Sequence, residues 1–146
     1  MALAKSFRDL NVYQAAQNAA AAIFQLSKRF PRTEQYSLTD QIRRSSRAVN
    51  AMLAEAWARR RYRPAFVDKI NQALGEAMET QSWLDHALQC EYLNQTEFSE
   101  HDQCWQKIGA MLARMIECAD EFCKSPSTIN HPRSTAGKPK TDGTDR

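Results

Sequence analysis

The stretch QIRRSSRAVNAMLAEAWARRRYRPAF, from Gln41 to Phe66, determines how the rest of this 146-residue chain is interpreted. It reads as one long helix whose apolar positions recur every three or four residues, and it carries seven arginines but a single acid, Glu55. Pro64 favours the first turn of a new helix, so we expect this helix to end near Arg63. Because arginine suits phosphate contacts and interfacial ion pairs, the stretch predicts a binding surface and not a reaction centre.

Apolar residues at helical spacing predict four long helices with short connections. The predicted segments are helix 1 from about Phe7 to Arg29, helix 2 from about Leu38 to Arg63, helix 3 from Pro64 to about Cys90, and helix 4 from Thr96 to about Phe122. Such an order predicts an all-α fold, an antiparallel up-down-up-down four-helix bundle. We therefore expect one domain over residues 1–124, followed by a disordered tail over 125–146 that is rich in proline, glycine and small polar residues.

The sequence also predicts which residues cap these helices and which positions face the core. The expected caps are Ser6 with Asp9, Ser37 with Asp40, and Thr96. The expected inward positions of helix 2 are Leu38, Ile42, Ser45, Val49, Leu53 and Ala56. Those of helix 3 are Phe66, Ile70, Ala73, Ala77, Gln81, Leu84 and Leu88. Those of helix 4 are Phe98, Trp105, Ile108, Leu112, Met115, Ala119 and Phe122.

The net charge of +3 conceals a strong asymmetry along the chain. Residues 1–63 carry 12 basic and 4 acidic side chains, whereas residues 64–123 carry 3 basic and 11 acidic ones. Opposite charge on two halves of one domain favours binding of a polyanion on one side, or head-to-tail association of copies. The basic residues of the tail, Arg133, Lys138 and Lys140, would add weak attraction to a polyanion.

The sequence offers little for catalysis, cofactors or membranes. No Glu-x-x-His pair, HExxH motif, paired CxxC or glycine-rich phosphate loop occurs, so we expect no enzyme, no metal, no cofactor and no small-molecule substrate. No apolar run is long enough for a membrane span and the N-terminus lacks a signal peptide, which predicts a cytoplasmic protein. The cysteines are expected to be small buried apolar residues in a reducing compartment; they are Cys90, Cys104, Cys118 and Cys123.

Two outer faces suggest contacts between subunits. On helix 2, Ala51, Ala54 and Ala58 lie opposite the inward stripe, where small side chains would let another helix approach, although alanine is also simply the best helix former. On helix 3, Trp83 lies off the inward stripe and near Glu76 and Glu79. It is either part of an interface between subunits or a partly exposed side chain that packs on the next helix of its own bundle. If both faces are real, basic helix 2 of one subunit would meet acidic helix 3 of another.

The arginines suggest nucleic acid, and an alternative remains. The candidate nucleic-acid-binding residues are Arg43, Arg44, Arg47, Arg59, Arg60, Arg61 and Arg63. Arginine pairs with phosphate through two hydrogen bonds, and Tyr62 within the run could stack on a base. The alternative for the run is a solvated helix end, where cations are favourable in any case.

Four segments, in this order and spacing, resemble a known family: FRDLNVYQAA, YSLTDQIRRSSRAV, AEAWARR and ALGEAMETQSWLDHAL. They are similar to the bacterial four-helix bundle family, also called the 23S ribosomal RNA intervening-sequence proteins, and to the accessory variability protein of diversity-generating retroelements. The resemblance covers about residues 7–123, and Arg43, Arg44, Glu55, Arg59 and Arg60 match the family pattern. Asn50, Met52 and Ala56 replace its usual proline, asparagine and glycine, which predicts a straighter helix 2.

The resemblance implies a homopentameric barrel without enzymatic activity and, for the accessory variability proteins, nucleic-acid binding alongside a reverse transcriptase. Together with the residues it predicts a self-associating bundle whose basic surface binds RNA or DNA without base specificity. The alternative is a structural homo-oligomeric assembly protein in which the arginines serve subunit contacts.

Overall fold

A computed structural model describes residues 3–123 of the chain, and these residues form helices without any strand. The predicted tail, 125–146, lies outside the described residues. The long helices are α1 (Asn11–Ser27), α2 (Asp40–Ala58), α3 (Arg63–Gln89) and α4 (Gln95–Glu117), and a short α5 (Ala119–Phe122) follows. Single turns at Phe7–Asp9 and Arg32–Glu34 are 3₁₀, and Gln35–Thr39 forms a π turn that leads into α2. The expectation of four long helices is confirmed.

Each long helix packs against two others: α2 lies against α1 and α3, and α4 lies against α3 and α1. Contacts between α2 and α3 run in opposite order along the two helices. Arg44, near the start of α2, pairs with Glu79, whereas Glu55, near the end of α2, pairs with Lys69 near the start of α3. The same crossed order joins α1 to α2, where Arg43 reaches Ser27 and Asn50 reaches Tyr13.

The core forms where the apolar stripes of the helices meet. All six positions expected to face inward on α2 and its approach are buried. On α3 the expectation was wrong at Gln81 and Leu88, which are half-buried, because Thr80 and Ala87 take the buried places. The buried positions of α3 follow a strict alternation of four and three residues, the 3.5-residue repeat of helices that wrap around each other. Of the positions expected to face inward on helix 4, Phe98 on α4 and Phe122 on α5 are only half-buried.

Several expected helix ends differ from those observed. Ser6 and Asp9 do form a reciprocal capping box, but it caps only one 3₁₀ turn, because Leu10 is extended and α1 begins at Asn11. Ser37 does not cap α2: its hydroxyl donates to Glu34, 2.9 Å away, and the π turn before Asp40 leaves no open helix start to cap.

Further differences lie at the end of α2 and at both ends of α4, which ends at Glu117 and not near Phe122. Helix α2 ends at Ala58, so Arg59 to Tyr62 form a turn and not helix; Pro64 then lies in the first turn of α3 as expected. Asn94, not Thr96, caps α4, with its Oδ1 accepting from the amide of Glu97 at 2.8 Å.

The prediction of buried cysteines was wrong. Cys90 and Cys104 are exposed, and Cys118 and Cys123 are half-buried. Cys104 lies on the face of α4 that is turned away from the core. Cys90 directly follows the last residue of α3, so both thiols are exposed to solvent. Burial raises the pKa of the Cys123 thiol, which reduces its reactivity at neutral pH.

Candidate nucleic-acid interface

Three cationic side chains surround one aromatic ring between α1 and α2. The ammonium of Lys28 lies 4.9 Å from the centroid of the Phe24 ring, and the guanidinium carbons of Arg43 and Arg47 lie 4.7 Å and 5.3 Å from it. Ring faces attract cations, so all three charged groups lie close to the ring of Phe24. We call Phe24, Lys28, Arg43 and Arg47 the Phe24 cluster.

Arg43 is held in place by a buried serine. Its Nε donates to Ser27 Oγ at 2.7 Å, and that hydroxyl donates in turn to the backbone oxygen of Phe24 at 2.9 Å. Ser27 is 2% exposed, so this chain of hydrogen bonds is shielded from water. The guanidinium of Arg43 is therefore held in one position by the protein itself, and a side chain fixed in this way has less conformational entropy to lose in any contact.

The Phe24 cluster lacks a compensating acid. Within residues 3–123, no carboxylate forms an ion pair with Lys28, Arg43 or Arg47. Helix α1 contributes no acidic side chain to its neighbours, because Asn11 to Ser27 contain no charged residue at all. An unneutralised group of three cations is an arrangement that attracts an anion.

A groove of about 380 Å³ lies beside the cluster along the α1–α2 contact. Apart from Arg47 its lining is uncharged, and consists of Tyr13, Gln17, Ala20, Ala21, Phe24, Gln25 and Asn50. The amide of Asn50 donates to the backbone oxygen of Tyr13 at 3.0 Å and so ties the two helices together along the groove. The groove thus offers amide groups and an aromatic ring next to concentrated positive charge.

Arg44 lies on the other side of α2 and is neutralised within its own chain. One nitrogen lies 2.7 Å and 2.8 Å from the two oxygens of Glu79, and the other lies 3.4 Å from both oxygens of Glu76. These hydrogen bonds, first that to Glu79, raise the pKa of Arg44. Burial raises the pKa of Glu76. Burial acts in the same direction on Glu79, but the contacts with Arg44, Glu76 and Trp83 together lower the pKa of its carboxyl. The acids expected to meet a second subunit therefore already have a partner.

The remaining predicted arginines gather at the turn between α2 and α3, residues 59–63, which we call the basic turn. Arg60 lies with its guanidinium carbon 3.6 Å from the Trp57 ring centroid and donates to the Trp57 backbone oxygen at 2.9 Å. Arg63 pairs with Asp120 at 2.8 Å. Arg59 and Arg61 are exposed, and Tyr62 is 66% exposed. The turn thus presents charges and one aromatic ring to solvent.

The structure divides the predicted binding residues into three places: the Phe24 cluster, the Arg44 pair and the basic turn. Sequence reasoning missed Lys28, Phe24 and Ser27 as members of the site. The spacing of Phe24 and Lys28 by four residues at the end of α1 was the one signal that could have joined these two. Which arginines of α2 they meet depends on how the two helices are rotated against each other, which spacing alone does not specify.

The predicted subunit-interface residues also have definite positions. Ala51 and Ala58 are exposed on α2, and Ala54 is half-buried. Trp83 is half-buried on α3, and its ring centroid lies 5.8 Å from that of His86. The assignment of these residues to a contact between subunits stays a prediction.

Other kinds of site find little support in the described residues. Over residues 3–123 no group of three or more His, Cys, Asp or Glu side chains is arranged to hold a metal ion. No helix in that part of the chain has the length and apolar character needed to cross a membrane. A second cavity, of about 740 Å³, lies between the start of α1 and the end of α4, lined largely by apolar side chains such as Leu10, Met111 and Met115.

Comparison with known proteins supports the resemblance seen in the sequence. A crystal structure from Bacteroides thetaiotaomicron VPI-5482, described as a protein of unknown function from the S23 ribosomal protein family, has a TM-score of 0.66 and 27% sequence identity. The match covers 73% of this chain and 98% of that one. No curated protein matches the sequence. The family model for the 23S rRNA-intervening sequence protein matches residues 8–114, and the chain belongs to that family.

Proposed function

We propose that this protein is an antiparallel up-down-up-down four-helix bundle that binds RNA or DNA through the phosphate backbone, without reading base sequence and without catalysing a reaction. The crossed order of contacts between neighbouring helices supports the topology. The observation that carries the binding proposal is the Phe24 cluster, three cations around one ring with no carboxylate partner in residues 3–123. Side chains of this kind bind phosphate at any sequence.

The basic turn provides a second anchor on the same chain. Arg47 and Ala58, the last residue of α2, are separated by about 16 Å of helix axis. That length corresponds to about five nucleotides along one strand of a duplex. Between the two anchors the outer face of α2 carries Ala51 and Ala58, which leave a smooth surface over which a backbone could pass. Arg44 contributes less, because Glu76 and Glu79 neutralise it.

Fluorescence anisotropy with a labelled single strand, repeated at rising salt, tests the proposal. Lys28→Gln, Arg47→Gln and Arg61→Gln should each weaken binding and lower the slope of log affinity against log salt by about 1. Lys107→Gln, which removes an exposed charge from α4, is the matched control and should change neither quantity. Absence of binding at low salt, or an equal loss for Lys107→Gln and Arg47→Gln, would contradict the proposal.

Self-association, as a pentamer, is the second candidate function. Its support is the outer surface of α1 and α2, where α1 has no charge over 17 residues and the exposed alanines of α2 are short enough for a second helix to approach. A face without charged side chains is unusual for a helix that only meets water. In this arrangement the partner is a second copy of the chain, in contact with a different face of the first.

Light scattering or sedimentation of Ala51→Gln and Ala58→Gln tests this assembly. Both positions are exposed in the single chain, so the longer side chain should leave folding intact while separating the subunits. Ala110→Gln on the exposed side of α4 is the control and should leave the mass unchanged. A monomeric wild type, or variants that keep the wild-type mass, would show that these alanines do not join subunits.

A further inference from the structure

We infer that the Phe24 cluster is a site for the terminal phosphate of a nucleic-acid strand, a phosphomonoester, in preference to the phosphodiesters within the strand. The inference rests on the proposed nucleic-acid binding and assigns one of its two anchors to the end of the strand. The basic turn then contacts internal phosphates. The chemical distinction between the two kinds of phosphate is charge, and the two anchors differ in how charge is arranged.

The charge of the cluster exceeds what one phosphodiester can offset. Three cationic groups lie 4.7 to 5.3 Å from the same ring centroid, with no carboxylate pairing within residues 3–123. A phosphodiester brings one negative charge, whereas a phosphomonoester carries about −1.5 to −2 at neutral pH and has three strong acceptor oxygens. Only the monoester comes close to balancing the charge of the cluster, and it offers three free oxygens to the donors there where a phosphodiester offers two.

The two arginines carry more of this preference than the lysine. Lys28 caps the carboxyl end of α1, where a cation is favourable without any ligand. Arg43 and Arg47 project from α2 and are not placed by the negative end of a helix dipole. Arg43 is also fixed, because its Nε donates to Ser27 Oγ at 2.7 Å. A positioned guanidinium can donate two parallel hydrogen bonds to one phosphate, which favours a compact group with several free oxygens.

The basic turn arranges its positive charges differently from the Phe24 cluster. Arg59 and Arg61 are exposed, Arg60 is turned onto Trp57 and Arg63 is paired with Asp120. Its free cations are therefore spread along the chain and not gathered around one ring, an arrangement that suits successive single charges along a backbone. The groove beside the Phe24 cluster, with Gln17, Gln25 and Asn50 in its lining, offers space and amide groups for the last nucleoside.

The test compares three forms of one single-stranded oligonucleotide of about 12 nucleotides, with a 5′-phosphate, a 3′-phosphate, or hydroxyls at both ends. We expect the wild-type protein to bind at least one phosphorylated form about tenfold more tightly than the hydroxyl form. A gain in affinity of about tenfold is what one further charge-assisted hydrogen bond contributes. Arg47→Gln should reduce this ratio to about one. Arg61→Gln should weaken all three forms and keep the ratio.

The outcomes separate this inference from the proposed function. Equal affinity for all three forms, with all of them weakened by Arg47→Gln, overturns the inference and leaves nucleic-acid binding intact. A wild-type ratio that Arg47→Gln and Lys28→Gln both leave unchanged places the terminal phosphate elsewhere and also overturns the inference. No binding of any form at low salt overturns both. Because Arg47 and Lys28 are exposed, neither substitution should prevent folding, and circular dichroism verifies this.

Discussion

The guanidinium of Arg44 on α2 lies 2.7 Å from a carboxylate oxygen of Glu79 on α3, and the same carboxylate offers its second oxygen at 2.8 Å. This contact connects the basic half of the chain to the acidic half within one molecule. It also distinguishes Arg44 from Arg47, one turn further along α2, which has no such partner within residues 3–123. Neighbouring arginines on one helix therefore differ: Arg44 pairs with acids of the next helix, whereas Arg47 keeps its charge available for the binding that we propose.

A double-mutant cycle of Arg44→Met and Glu79→Gln should give a coupling free energy of about 0.5–1 kcal/mol, because both side chains are partly exposed and water screens the pair. Urea unfolding measures it. The pair of Arg63 and Asp120, whose carboxylate side chain is 85% exposed, is the control and should couple more weakly. A coupling for Arg44 and Glu79 no larger than that of the control would mean that the two-point contact adds nothing to stability.

Acid should weaken the start of α4 through Glu97. Its carboxylate accepts from the backbone amide of Asn94 at 3.1 Å and pairs with Arg29 at 2.7 Å, and the two contacts lower its pKa. Since the folded pKa lies below the unfolded one, the stabilisation is present above the unfolded pKa and is lost as the pH falls through the folded pKa. Glu97→Gln should thus be less stable than the wild type at neutral pH, with the difference in melting temperature shrinking in acid. A difference that stays constant with pH would contradict this.

A buried hydroxyl pair should show coupling inside the core. Ser45 Oγ and Thr80 Oγ1 lie 2.8 Å apart and both residues are fully buried. Ser45→Ala or Thr80→Val alone leaves one hydroxyl without this partner, at a cost of about 1–2 kcal/mol each, whereas the double variant should cost less than the sum. Each hydroxyl also contacts a backbone oxygen of its own helix, which limits the loss. Strictly additive free energies of unfolding would show that the contact between helices is not coupled.

Glu91 ends α3 in an unfavourable backbone conformation. Its φ is 61°, and the turn is closed by the amide of Tyr92, which donates to the oxygen of Ala87 at 2.9 Å. This is the usual place of glycine after a helix. Glu91→Gly should therefore raise stability by about 0.5–1 kcal/mol in thermal unfolding, while Glu91→Ala, which keeps the strain, should not. A less stable glycine variant would mean that the glutamate side chain contributes more than the strain costs.

The sequence predicted the helices and the core better than the site, for a physical reason. Burial on α2 follows from spacing within one helix, so Ile42, Val49 and Leu53 could be assigned without knowing their neighbours. Thr80 was missed because its second hydrogen-bond partner, the Ser45 hydroxyl 2.8 Å away, comes from another helix. The Phe24 cluster depends on the rotation of α1 against α2, and the pairing of Arg44 with Glu79 on the packing of α2 against α3. Long-range contacts of this kind leave no trace in the spacing of a single segment.

Gly75 offers a prediction that connects stability with assembly. It lies exposed in the middle of α3, and a Cβ built on it would meet no atom within 4 Å in the part of the chain that the structure describes. A glycine inside a helix costs about 1 kcal/mol relative to alanine, so Gly75→Ala should stabilise the isolated chain by about that amount. Gly109→Ala on α4 is the matched control, since its new Cβ would lie 3.5 Å from Leu74 Cδ1, an ordinary contact, and it should stabilise by a similar or smaller amount.

Gly75→Ala and Gly109→Ala should differ in their effect on self-association, which is measured as the mass of the assembly. Residues 3–123 give Gly75 no packing reason to lack a side chain, and Met78, one turn away on α3, is 59% exposed. If a second copy approaches α3 closely at this point, Gly75→Ala should weaken self-association while raising the melting temperature of the dilute protein, and Gly109→Ala should leave association unchanged. If both variants keep the wild-type mass in light scattering, this face of α3 is not where copies of the chain meet.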